Sequence, residues 1–122
     1  RNGIANLEYR LGDMEELPIG ATEVDLVLVH QALHHALHPH QALGEAHRVL
    51  RPGGRIVILD LVKHELEAAR SLYGDVWLGF SQVELIDLLR QTHFERIDVS
   101  IVDRADDPPH FETIMAIAEK PP

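Results

Sequence analysis

Val24-Asp25-Leu26-Val27-Leu28-Val29, then Pro39–Leu50, then Arg55-Ile56-Val57-Ile58-Leu59-Asp60-Leu61 is the stretch that decides the fold. Its first and last segments are apolar on nearly every residue, the pattern of strands buried on both faces of a helix-covered parallel sheet. Between them Ala42, Leu43, Ala46 and Leu50 recur at helical spacing behind Pro39, a residue suited to a first helical turn. Arg51-Pro52-Gly53-Gly54 reads as the stop, because glycine supplies the left-handed residue that closes a helix and proline cannot continue one. A strand, a helix and a strand within about forty residues make a βαβ unit with a right-handed crossover.

Upstream, Leu7–Leu11 alternates apolar and polar and reads as a strand ending at Gly12-Asp13; Met14–Glu23, with Pro18 and Gly20, reads as a turn with a short helical piece. Downstream, Lys63–Tyr73 carries Leu66, Ala69, Leu72 and Tyr73 on one side, an amphipathic helix closed by Gly74. Ser81 with Glu84 three residues on is a capping box, Phe80 can staple onto Leu85, and the helix so begun ends near Thr92-His93. Arg96–Val102 alternates as a half-exposed edge strand. Phe111–Ala118 is apolar on both faces, so it belongs inside the sheet, paired antiparallel with Arg96–Val102. The fold class is α/β, a mostly parallel sheet with a C-terminal antiparallel hairpin.

The 122 residues hold 45% apolar residues and no cysteine, enough for one core without disulfides. Twenty acids against eleven bases give a net charge of -9 with no Lys/Arg cluster, which argues against a nucleic-acid partner. The apolar runs are short and carry aspartates, so no membrane-spanning helix is expected.

In open α/β sheets, ligands bind beyond the carboxyl ends of the strands. The residues there are Asp13-Met14, His30–His35, and Asp60 with Lys63-His64, all polar or titratable groups apart from Met14, Ala32 and Leu33. His30, His34, His35, His38, His40 and His47 crowd one stretch, yet no cysteine assists them and no metal site is assigned. Tyr73, Trp77 and Phe80 either wall an acceptor pocket or pack a helix onto the sheet. Asp60 reads as a structural position before it reads as a base. His93 occupies a helix end where φ > 0 would cost on the order of 1 kcal/mol.

Gly12-Asp13-Met14-Glu15-Glu16-Leu17-Pro18, Val24–His35 and Arg48-Val49-Leu50-Arg51-Pro52-Gly53-Gly54-Arg55 together resemble the second half of class I S-adenosylmethionine (SAM) dependent methyltransferases of the ubiquinone/menaquinone-biosynthesis type. Trp77-Leu78-Gly79-Phe80-Ser81 looks like the subgroup fused behind ArsR-type winged-helix regulators. The resemblance implies a partial Rossmann-like sheet, SAM as cofactor, a small-molecule acceptor and a cytoplasmic enzyme. By position, Asp13 would accept the adenine amine and the Met14 N–H would face a ring nitrogen. His30, Gln31 and Ala32 would line the methionine end, and His35 would lie close by toward the substrate. No catalytic residue is implied; a carbon or hydroxyl acceptor would need a base, for which His34, His35 and His64 are candidates.

The family's G-x-G-x-G turn and its ribose-holding acid do not occur in this sequence. Residues 1–122 are therefore expected to be the C-terminal part of a single methyltransferase domain. The family strand order 3-2-1-4-5-7-6 puts two absent strands between Leu7–Leu11 and Val24–Val29. The opening residues are expected to pair with another chain or lie elsewhere, with oligomers forming through unpaired edges, and the isolated chain is expected to bind SAM poorly. A second reading is a non-catalytic, effector-sensing module of an ArsR-type regulator. A nicotinamide-dependent dehydrogenase is disfavoured, since no Tyr-x-x-x-Lys appears.

Overall fold

The structure, a computed structural model, describes residues 6, 7, 15, 17, 20–62, 79–107 and 110–122. Strands β1 (Asn6–Leu7), β2 (Val24–His30), β3 (Leu50–Leu61), β4 (Glu95–Arg104) and β5 (Glu112–Glu119) form one sheet in the order β1-β2-β3-β5-β4. Helix α1 (Pro39–Val49) connects β2 to β3, and α2 (Gln82–Gln91) precedes β4. β2 and β3 run parallel, and β5 lies antiparallel to both β3 and β4, so the βαβ unit and the terminal hairpin form as expected. The Lys63–Tyr73 helix lies outside the described residues.

Hydrophobic burial organises one core. Ala42, Leu43, Ala46 and Val49 of α1 join Leu85 and Leu89 of α2, Ile56 and Ile58 of β3, and Ile114, Ala116 and Ala118 of β5. The alternate residues Leu26, Val57, Leu59, Met115 and Ile117 are only half-buried and Leu28 is exposed. Among the described residues the two helices pack on one face of the sheet, and these half-buried side chains lie on the other. On the edge strand β4, Ile97 and Val99 pack against the core, but a bulge between Ile101 and Asp103 turns Ile101 and Val102 outward.

Two local expectations are corrected. Glycine does not close α1: the chain becomes extended at Leu50, and the amides of Thr22 and Glu23, arriving into β2, satisfy the carbonyls of Arg48 and Val49 at 2.9 and 2.8 Å. Pro52-Gly53-Gly54 instead forms a bulge inside β3, since Val24 pairs with Leu50 but Leu26 with Arg55. The opening strand also departs from the expected order: Asn6 and Leu7 pair in parallel with Leu26 and Val27 of β2. The edge of β2 away from β3 offers unpaired backbone groups, and the nearest extended segment among the described residues takes them.

The capping box forms as read, with the Glu84 amide donating to Ser81 Oγ and the Ser81 amide to Glu84 Oε1. At the other end of α2, His93 has φ +71, its amide donates to the Arg90 carbonyl and the Phe94 amide to that of Leu89. These are the two bonds of a Schellman closure, whose left-handed position favours glycine. His93→Gly is therefore expected to stabilise the chain by about 0.5–1 kcal/mol. Chemical denaturation checks this; an unchanged or lower midpoint would show that His93 is unstrained.

Candidate functional site

β2 and β3 end side by side, and the chain leaving β2 turns at once. Gln31 takes φ +55 and its amide donates to the Leu59 carbonyl at 2.6 Å. Ala32 caps a single 3-10 turn, Leu33–His35, and its carbonyl accepts the His35 amide at 3.0 Å. This turn is bolted to β3 through Asp60, a fully buried acid. His34 Nδ1 donates to Asp60 Oδ1 at 2.6 Å, the His34 amide to Oδ2 at 3.2 Å and the Leu61 amide to Oδ1 at 2.7 Å. A carboxylate only accepts, so Nδ1 carries a proton whatever the charge of the ring. Three donors on one acid are what a buried carboxylate needs to offset its lost hydration.

His35 stacks obliquely on His34, with ring centroids 4.1 Å apart, and is half-buried, while the His30 side chain is exposed. His30, Gln31, Ala32 and His35 are thus brought to one rim. Asp13 and Met14 lie outside the described residues. His38 and His40 are exposed, whereas His47 is half-buried: its ring meets Phe94 edge-on at 5.1 Å, and Nε2 is buried without a hydrogen-bond partner. Burial holds the His47 pKa below the usual imidazole value, and the nearby Lys120 charge adds to this. Among the described residues no cluster of three or more His, Asp or Glu could hold a metal ion.

A groove of about 450 Å³ opens between the start of α1 and α2, walled by Leu37, Pro39, Phe80 and Leu88, with His38, His40, Glu84, Asp87 and Gln91 as its polar groups. None of the residues expected against a cofactor lines it. Phe80 is buried in the core, so packing is its role here even though one edge reaches the groove. Sequence reasoning missed the union of His34 with Asp60. Its signal was present: one acid in an otherwise apolar buried strand, level with a histidine pair leaving the neighbouring strand.

Residues 1–58 match the family described as "Methyltransferase domain". The human mitochondrial 2-methoxy-6-polyprenyl-1,4-benzoquinol methylase is 45% identical over 56 residues, which cover 46% of this chain and 17% of that protein. The arsenite methyltransferase of Halobacterium salinarum is 35% identical over 63 residues, covering 52% and 16%. The chain thus spans only about a sixth of these curated relatives in the aligned stretches. Among solved structures, phosphoethanolamine N-methyltransferase 2 of Haemonchus contortus in complex with SAM superposes with a TM-score of 0.74 at 13% identity, over 90% of this chain and 36% of that one. The 4+2 cyclase SpnF superposes with a TM-score of 0.65 at 20% identity, over 89% and 54%. The described sheet, with methyltransferase-domain sequence over residues 1–58, has the fold of the class I SAM-dependent methyltransferases.

Proposed function

We propose that this chain is the C-terminal part of a SAM-dependent methyltransferase domain within a longer cytoplasmic enzyme acting on a small molecule. One observation carries the reading: the family match over residues 1–58 takes in Gly12–Pro18, Val24–His35 and Arg48–Arg55. SAM supplies a methyl group on its own leaving group, so the protein's share is to position the acceptor and exclude water. Asp13 and Met14 would hold the adenine end, with His30, Gln31 and Ala32 along the methionine end and His35 toward the acceptor.

The rim fits this role as one wall of a cleft. Its loop is already built, with the Gln31 amide spent on Leu59 and the Asp60–His34 lock behind it. The opposite wall needs a glycine-rich turn and a ribose-holding acid, which this sequence lacks, so the longer enzyme must supply them. No acid or base is assigned.

A fold shared with a cyclase leaves the reaction open, and the alternative is an effector-sensing, non-catalytic module of an ArsR-type regulator. Calorimetry of the full-length protein with S-adenosylhomocysteine is expected to give one-to-one binding, and SAM with a metabolite panel to give turnover. Binding without turnover on any acceptor favours the regulator. Residues 1–122 alone are expected to bind weakly or not at all; tight one-to-one binding by them would overturn the division of labour proposed here.

A further inference from the structure

Among the described residues, one buried polar side-chain atom has no hydrogen-bond partner: Nε2 of His47. His47 lies in the last turn of α1, two positions before the fully buried Val49. Its ring reaches the corner where α2 gives way to β4, meeting Phe94 edge-on at 5.1 Å and His93 edge-on at 6.2 Å. Phe94 belongs to the core, so the imidazole fills the space between α1 and that corner as an apolar ring would. A stranded buried nitrogen is uncommon and calls for a reason.

The neutral ring can sit there with its proton on Nδ1 and only a lone pair at Nε2. The charged ring cannot, because both nitrogens then carry protons and one N–H must stand at Nε2, where no acceptor is in reach. The nearest acid in sequence, Glu45, is already paired with Arg48 at 2.6 and 3.0 Å. The titratable groups set against the ring from other elements are Lys120, just past β5, and His93, in the turn after α2, and both are bases. Lys120 is held in place, its Nζ donating to the Leu50 carbonyl at 2.8 Å. Burial first, then Lys120, with His93 adding to them, outweigh the His93 main chain, which favours the charged ring, and keep His47 below the usual imidazole value.

Proton uptake therefore works against the seated ring. An imidazole released to water binds its proton near pH 6.5, so the opened corner gains protons first as the pH falls; the His47 contribution to stability is complete above about pH 6.5 and is lost below it. The corner is the side that yields. Ala42, Leu43, Ala46 and Val49 fasten α1 to the sheet, whereas the end of α2 depends on a closure with His93 at φ +71 and on the amide bonds from His93 to Arg90 and from Phe94 to Leu89. We propose that His47 is an acid-sensitive clasp between α1 and the α2–β4 corner: uptake of a proton by its ring releases Thr92, His93 and Phe94 from α1. This device belongs to the fold and is independent of the reaction proposed above.

Hydrogen exchange of the full-length protein, read by mass spectrometry and corrected for the intrinsic pH dependence of amide exchange, tests it. Protection in a peptide covering residues 88–95 is expected to fall about five- to tenfold between about pH 7.5 and 5.5, while a peptide covering residues 56–59 of β3 keeps its protection. His47→Phe retains a ring against Phe94 and removes the titration, so its protection should be flat across that range. Should that variant fail to fold, Lys120→Met carries the test: without the opposing charge the ring resists its proton less, and the fall should shrink to about threefold. Flat protection in the wild type overturns the proposal, as does a fall that persists in His47→Phe or is undiminished in Lys120→Met, which would place the titration on another group. An equal fall in the β3 peptide would mean that the whole domain opens, and overturns the claim that the corner yields by itself.

Discussion

Asp60→Ala is expected to cost the chain about 3 kcal/mol, since it removes the acceptor of two buried donors and one part-buried donor at once and leaves a small cavity. The donors are the His34 ring, the His34 amide and the Leu61 amide, and water has little access because Asp60 is fully buried and His34 only 4% exposed. Asp60→Asn is the milder change. It keeps one carbonyl oxygen for Nδ1 or the Leu61 amide and turns its own N–H₂ toward a donor, so a loss of about 1–2 kcal/mol is expected. His34→Ala removes the ring but leaves the acid two amides, and a double-mutant cycle with Asp60→Asn should return a coupling of about 1–3 kcal/mol. Urea denaturation of these variants settles the matter: an Asp60→Ala chain within about 0.5 kcal/mol of wild type would mean that the pair contributes nothing net. The structural counterpart is positional, because this acid ties the turn that leaves β2 to the end of the adjacent parallel strand β3.

That lock also marks where sequence reading stops. The βαβ unit and the start of α2 were legible because their signals are local: apolar runs at Val24–Val29 and Arg55–Leu61, a helical stripe at Ala42, Leu43 and Ala46, and a capping box at Ser81 and Glu84. The interior position of β5 was legible from its two apolar faces. Contacts that cross the chain leave no period. Asp60 meets His34 over 26 positions and Arg48 reaches Leu17 over 31, so each residue could be noticed but not its partner. The helix stop misled for a related reason. Gly53 does take φ +82, but a bulge needs a left-handed residue as much as a helix end does, and the composition of the two is the same. The pairing of β1 with β2 was misjudged because strand order depends on which strands compete for an edge, a property of the whole sheet and not of any one segment.

Gly79 and Gly53 offer the second large effect as a matched pair. Both have positive φ, +89 and +82, so alanine carries the same conformational strain at each, on the order of 1–2 kcal/mol. Their surroundings differ. A Cβ on Gly53 would meet nothing within 4 Å, whereas one on Gly79 would stand 2.7 Å from the carbonyl oxygens of both Leu61 and Val62. Those oxygens cannot retreat, because β5 holds the same backbone from the far side: Leu61 pairs with Thr113, and the Val62 amide donates to the Glu112 carbonyl. Either Gly79 moves, breaking the Phe80 amide bond to Leu61 and the Val62–Phe80 bridge, or the end of β3 does. Gly79→Ala is thus expected to lose about 3–4 kcal/mol and roughly 10 °C of melting temperature, against about 1–2 kcal/mol for Gly53→Ala. Equal losses at the two positions would show that the chain relaxes freely around residue 79. A larger loss at Gly79 would instead mean that Phe80, a wall of the groove between α1 and α2, is held in place by the end of β3, and that this end is stiff because β5 backs it.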